Sequence, residues 1–248
     1  MSQPTYANVV SAAEHLAVTG ELQPHQRRAF AILWDGMSEG QRGEFTRNWR
    51  TKPSTPPPPP PPQQQVLLAV PYFSQRDSAT ANGERMCFSS ACAMAAAFLK
   101  PGCLAGAGQQ PDDRYLGIVE RFGDTTDAKA QIRALGTLGV RATFRTDGTI
   151  DSLVAELRAG RPVPVGWLHR GPVDAPTGGG HWTLAIGWDP ATRQVIMHDP
   201  YGEADLMGGG YVDRRVGAGA RQRYSEANWG RRWMVEGPGT GWWLQLAA

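Results

Sequence analysis

Residues 56–62 are seven consecutive prolines, set in the stretch TKPSTPPPPPPPQQQ over 51–65. Each proline lacks a backbone N–H and fixes φ, so this run enters neither a helix interior nor a sheet. It adopts extended polyproline II and acts as a semi-rigid spacer, or as a ligand for a proline-binding domain. Because it lies between two foldable segments, the spacer reading is favoured. Three parts are therefore expected: a small module over 1–50, a proline-rich linker over 51–65, and a main domain over 66–248.

Residues 1–50 read as a small helical bundle. LQPHQRRAFAILW (22–34) and MSEGQRGEFTRNW (37–49) form a near-repeat, aligning Gln26 with Gln41, Phe30 with Phe45 and Trp34 with Trp49. Phe and Trp at i, i+4 share a helical face. Pro24 suits a first helical turn and Ser38 a cap. So few residues bury only a modest core. Nothing there carries chemistry, and the expected roles are targeting, through a partner or the cell wall, and oligomerisation.

The main domain must carry the chemistry. The chain holds three cysteines, with no C-x-x-C pair, so neither a disulfide framework nor a structural zinc site is expected. No cofactor motif is present, and no metal site is expected. A net charge of +2 calls for neither nucleic acid nor a membrane surface. No apolar run reaches the ~20 residues that span a bilayer. The start, MSQPTYANVV, lacks the basic and apolar regions of a signal peptide, so synthesis and retention in the cytoplasm are expected unless another protein provides a way out.

CFSSACAMAAAFLK (87–100) has no helix breaker before Pro101-Gly102, which predicts a helix of three to four turns. Cys87 falls in its first turn, where unpaired N–H groups and the helix dipole favour an anion such as a thiolate. Cys92, inside the helix, and Cys103, after it, read as buried apolar residues. A nucleophilic cysteine needs a base, and the base needs an orienting group. His15 and His25 belong to the first module, leaving His169, His181 and His198.

GGGHWTLAIGWDPATRQVIMHDPYGE (178–203) predicts a hairpin turning at DPATR, with arms 181–188 and 194–199. Folded about residue 190, it sets His181 opposite Asp199, Thr183 opposite Met197 and Ala185 opposite Val195. Opposed residues share a sheet face, with Cβ atoms ~5 Å apart. The carboxylate would then hold the imidazole in one tautomer. His198 points to the other face, and a register slip of one residue would exchange the two histidines. His169 reads as a surface-loop residue. Gly179, Gly180 and Trp182, which flank His181, are the candidate substrate contacts.

VPYFSQRD, CFSSACAM, GGGHWTLAIGWD and HDPYGE together resemble the peptidase domain of the bacteriocin-processing (double-glycine leader) cysteine peptidases and their stand-alone relatives, within the papain-like clan. The likeness spans roughly residues 66–200 and includes Ser89, Ser90, Ala93 and Met94 after the cysteine. It implies Cys87 as nucleophile, His181 as base, Asp199 as orienting acid, and Gln75 as oxyanion donor beside the backbone N–H of Cys87. The family's usual Gly-Pro after the cysteine is replaced by Phe88-Ser89. No transporter or nucleotide-binding domain accompanies the peptidase segment, so leader processing during export is not expected.

The remaining segments complete an α+β papain-like layout. VLLAVPYFSQRD (66–77) reads as a strand ending in a loop. DTTDAKAQIRALGTLG (124–139) and TIDSLVAELRAG (149–160) read as capped helices, with Asp124, Asp127 and Asp151 as helix-start acids. VRATFRT (140–146) and PVPVGWLH (162–169) read as strands, and GWWLQL (241–246) as a last strand closing the sheet. Arg214, Arg215, Arg221, Arg223, Arg231 and Arg232 read as a solvated face.

A thiol peptidase, linker and helical module together resemble phage lysins. The expected function is an endolysin-type cysteine peptidase, a hydrolase cleaving peptide bonds in bacterial peptidoglycan after release through a pore. A deconjugating peptidase or acyltransferase on the same triad, and an inactive peptide-binding module, are the alternatives.

Overall fold

A run of alanines with Met94, Phe98 and Leu99 and no breaker forms the helix α1, Cys87–Leu99, and its burial organises the main domain. The structure is a computed structural model that describes residues 30, 31, 34–42 and 64–247. The chain divides into two units, Met1–Pro62 and Gln63–Ala248.

In the first unit, residues 39–42 are helical and Ser38 caps them. Its hydroxyl accepts from Gln41 N at 3.3 Å while Gln41 Oε1 accepts from Ser38 N at 2.9 Å, a reciprocal cap. Phe30 and Trp34 stack with ring centroids 6.0 Å apart, as their i, i+4 spacing requires. Pro24, Phe45, Trp49, His15, His25 and the proline run lie outside the described residues.

In the second unit the elements run β1 (Val66–Leu67), α1, α2 (Pro111–Val119), α3 (Ala128–Thr137), β2 (Arg141–Gly148), α4 (Ile150–Arg158), β3 (Val163–Trp167), β4 (His181–Asp189), β5 (Gln194–His198), β6 (Glu203–Ala204), β7 (Tyr211–Asp213), β8 (Gln222–Ser225), α5 (Glu226–Trp233) and β9 (Gly241–Ala247). Local chemistry sets several ends. Asp127 caps α3 by accepting from Lys129 N. Thr149 and Ser152 form a reciprocal cap on α4. Asp151 lies in the first turn of α4, whereas Asp124 precedes α3 and pairs with Arg85.

One antiparallel sheet runs β2-β9-β3-β4-β5-β8, with β1 added along β4. The last strand does not close an edge, since β9 inserts between β2 and β3. The strand expected over 66–77 lasts two residues. Leu68 still donates to Ile186, and the chain then leaves the sheet before Pro71, which has no N–H for a ladder. α1 packs on one face against Leu184, Ile186, Ile196, Leu244 and Leu246. The other face packs Ala185, Val195 and Met197 against Leu153, Leu157, Trp229 and Trp233 of α4 and α5. Each fully buried Leu or Met contributes roughly 1.5–3 kcal/mol.

The β4–β5 register differs from the expected one. Leu184 faces His198 and Ala185 faces Met197, a slide of two residues. Four residues, 190–193, separate the paired ends Asp189 and Gln194, and Arg193 adopts φ 49°. Asp189 Oδ1 accepts from Ala191 N at 3.0 Å and stabilises this longer turn. A bulge between Ala185 and Gly187 takes up one more residue, so that Trp188 joins Ala185 in the same core cluster. A slide of two preserves side-chain parity, so His181 and Asp199 stay on one face as diagonal rather than direct neighbours.

Candidate active site

The site forms where three element ends meet. Cys87 is the first residue of α1, His181 the first of β4, and Asp199 the residue after β5. Met86, which precedes α1, gives no side-chain cap, so side chains leave the first N–H groups of the helix unclaimed. Cys87 is half-buried and lines a cleft of about 1050 Å³.

His181 is buried, and its Nε2–H donates to Asp199 Oδ1 at 2.8 Å. Its other electrostatic partner is Cys87, which lies near enough to act on the ring. Burial opposes charge on this ring, but the Asp199 carboxylate and then Cys87 outweigh it, and the pKa is pushed up to about 10. The imidazolium therefore prevails at neutral pH. Trp167, opposite His181 across β3 and β4, meets the ring edge-on at 5.5 Å.

Asp199 is fully buried and held from every side. Oδ1 also accepts from Tyr201 N at 2.9 Å, and Oδ2 accepts from Tyr224 Oη at 3.0 Å. Its backbone N–H donates to Gly219 O at 2.9 Å, and its carbonyl accepts from Tyr72 Oη at 2.9 Å. A side chain at 219 would collide with the Asp199 carbonyl, so only glycine permits that approach. Burial, followed by the Asp199 charge, holds the Tyr224 phenol well above its ordinary value, so it stays a donor.

Gln75 is buried in a short 3-10 turn, Gln75–Asp77, capped by Ser74. Its backbone N–H donates to Pro200 O at 3.0 Å, tying it to the Asp199 loop. Its Nε2 donates to Gly83 O at 2.7 Å, which uses one of two amide hydrogens. Gln75, Cys87 and His181 line the same cleft, and so do Gly179, Gly180 and Trp182. The two glycines are exposed, whereas the Trp182 ring stacks on Phe88.

The other cysteines and histidines separate clearly. Cys92 is fully buried, and burial raises its thiol far above the ordinary range. Cys103 is half-buried rather than buried, because it lies in the turn beyond α1. His198 faces away. Its Nε2 donates to Val70 O and its Nδ1 accepts from Arg221 N, both at 3.1 Å. Burial lowers its pKa to about 4. Ser89 bonds Thr125 and Gln131, Ser90 bonds Asp112, and Ala93 and Met94 are core residues.

Two further expectations, for His169 and Arg232, are corrected. His169 is not a detached surface residue: it lines the cleft with its ring 5.6 Å from His181, because Gly210 N donates to its carbonyl and draws the loop inward. Arg232 is not solvated. It is fully buried, and its guanidinium donates to the carbonyls of Leu206, Leu168, Arg170 and Gly171 at 2.8–3.2 Å. Arg215 and Arg223 do lie near the surface, paired with Asp213 and Asp189.

Sequence reasoning also missed Tyr201, Tyr211 and Tyr224. Tyr201 was within reach, two residues beyond Asp199 in the quoted HDPYGE. Tyr211 meets the His181 ring at 5.7 Å from the short strand β7, and nothing local in the sequence signals that approach.

A cysteine-bearing helix packed on an antiparallel sheet, with histidine and aspartate at adjoining strand ends, defines a papain-like α+β peptidase fold. Residues 67–226 match the model of the Peptidase_C39 like family, and the chain belongs to that family. Three of the similar solved structures illustrate the likeness. A C39-like peptidase from Bacillus anthracis is 14% identical, with TM-score 0.45, covering 75% of this chain and 98% of its own. A double glycine motif protease from an AMS/PCAT transporter, in complex with the leader peptide, is 15% identical, with TM-score 0.42, covering 74% and 98%. The peptidase domain of Streptococcus ComA, a bifunctional ABC transporter of a quorum-sensing pathway, is 17% identical, with TM-score 0.42, covering 73% and 97%. No curated protein matches the chain.

Proposed function

We propose that this protein is a cysteine peptidase that uses Cys87, His181 and Asp199, with Gln75 in the oxyanion hole, to cleave peptide bonds in bacterial peptidoglycan. The observation that carries the reading is the position of His181, bonded through Nε2 to a buried carboxylate and acted on by Cys87 at a helix start.

His181 holds the proton from Cys87 as imidazolium, and the thiolate sulfur attacks the scissile carbonyl carbon. The carbonyl π pair moves onto oxygen. The Gln75 amide and the Cys87 backbone N–H then stabilise that oxyanion. The intermediate collapses, the C–N bond breaks, and the leaving amine takes the proton from His181. Water then attacks the Cys87 thioester while giving a proton to His181. The carbonyl re-forms, the C–S bond breaks, and the carboxylic acid product departs, leaving the thiolate–imidazolium pair restored. Asp199 orients the ring throughout by accepting from its Nε2–H.

The wall as substrate is supported by three features: the open cleft, its exposed Gly179–Gly180 edge, and a peptidase domain preceded by a proline-rich stretch and a short helical module. Residues 1–50 would then contact the wall or a second copy, and the enzyme would reach the wall through a pore made by another protein. Among the described residues no helix is long and apolar enough to cross a membrane.

The test is digestion of purified peptidoglycan by the full chain and by Cys87→Ala, with fragments read by mass spectrometry. New amino termini from wild type only are expected. No fragments from either would refute the wall as substrate, and equal fragments from both would refute Cys87 as nucleophile.

A further inference from the structure

The residues that follow nucleophile and base, Phe88 and Trp182, stack face to face. Their ring centroids are 3.6 Å apart and their planes 4° from parallel. Phe88 is 1% exposed, so its ring is spent on this contact and on the core. Phe144 meets the same indole with ring centroids 6.2 Å apart and planes tilted by 49°. Beneath it, Gly166 pairs with Trp182 across β3 and β4, and a Cβ at 166 would lie 2.9 Å from the indole. Phe88, Gly166 and Trp182 thus fit one another, and glycine is the residue that lets the ring lie over β3.

The stack extends the packing of α1 on β4, through Leu184 and Ile186, to the ends that carry Cys87 and His181. Cys87 and His181 are element-start residues, each one residue before a member of the stack. Consecutive Cα atoms lie 3.80 Å apart. Fixing residue 88 against residue 182 therefore limits how far Cys87 and His181 can separate. We propose that the Phe88–Trp182 stack is a positioning device that sets the spacing between the Cys87 sulfur and the His181 ring. Phe88 and Trp182 act here through their neighbours and touch no reacting atom. The proposal rests on the thiol-peptidase reading of the site.

Alkylation of Cys87 by iodoacetamide, followed over pH in the full chain, tests it without any substrate. A misplacement of ~1 Å between reacting groups costs about a hundredfold in rate, and a partial loss of alignment about tenfold. Trp182→Leu keeps apolar bulk but has no flat face, and Gly166→Ala pushes the indole aside. Both are expected to slow alkylation at neutral pH about tenfold and to lower kcat on the wall substrate with KM unchanged. Trp182→Phe preserves a flat ring and should stay within about threefold of wild type. Thermal melts of each variant exclude unfolding as the cause. Wild-type alkylation in a folded Trp182→Leu protein would overturn the proposal, as would a rise in KM alone, which would mark Trp182 as a substrate contact. A wild-type Cys87 no more reactive than free cysteine would overturn the thiol-peptidase reading itself, and the positioning role with it.

Discussion

Asp199→Asn removes one charge from the site and almost no shape. In the wild type, Asp199 Oδ1 accepts from His181 Nε2 at 2.8 Å and from Tyr201 N at 2.9 Å. An asparagine oxygen can keep both. Its amide would meet the Tyr224 hydroxyl oxygen, which can accept in place of donating. What disappears is the field on the imidazole. Burial lowers the pKa of His181, and the Asp199 carboxylate and then Cys87 raise it past that penalty to about 10. His198 shows the same protein without such a partner: burial leaves it at about 4. Losing the larger of the two favourable charges should carry His181 below neutrality. A fall from about 10 to below 7 corresponds to more than about 4 kcal/mol of imidazolium stabilisation. Alkylation of Cys87 at pH 7 should then slow by about 10²–10⁴-fold, the usual worth of a positioned acid–base partner. Stopped-flow alkylation between pH 4 and 10, with NMR titration of the His181 ring, reads both quantities. An Asp199→Asn protein with the wild-type rate profile and ring titration would refute the role given to this carboxylate.

Three further outcomes follow from particular contacts. Gln75→Ala should lower kcat about 10²–10³-fold with KM changed by no more than about twofold, measured on peptidoglycan fragments. Arg232→Met removes the donor to four backbone carbonyls and should cost roughly 3–5 kcal/mol in urea unfolding; an unchanged midpoint would contradict it. The pH dependence of stability should have two limbs. The folded value of His181 lies above the ordinary 6.5, so its stabilisation is full below pH 6.5 and lost as pH rises through about 10. The folded value of His198 lies below 6.5, so its neutral ring is fully accommodated above pH 6.5 and costs roughly 3 kcal/mol as pH falls through about 4. Urea titrations of wild type and His198→Phe should lose the acid limb in the variant alone.

Much of this architecture was legible because local signals and tertiary needs coincide. The breaker-free alanine run marks α1, Asp127 and Thr149 mark helix starts, and alternation marks β4 and β5. The pairing of His181 with Asp199 survived a misplaced register because a slide of two residues keeps side chains on their face. The turn that shifted the register by three residues, and the bulge that took one back, have no strong sequence signature. Arg232 was illegible for another reason: a buried guanidinium satisfied by backbone carbonyls looks, in sequence, like any surface arginine. His169 and Tyr211 reach the site through the loop contact at Gly210, a tertiary event that no short window of residues encodes.

The most direct test of the central claim is to catch the acyl group on sulfur. Turnover of peptidoglycan fragments by the full chain, quenched in acid and mapped by mass spectrometry, should show a thioester adduct on the peptide that carries Cys87. None should form on Cys92, which is sealed in the core. Cleavage with no adduct at Cys87, or an adduct that persists in Cys87→Ala, would contradict the account.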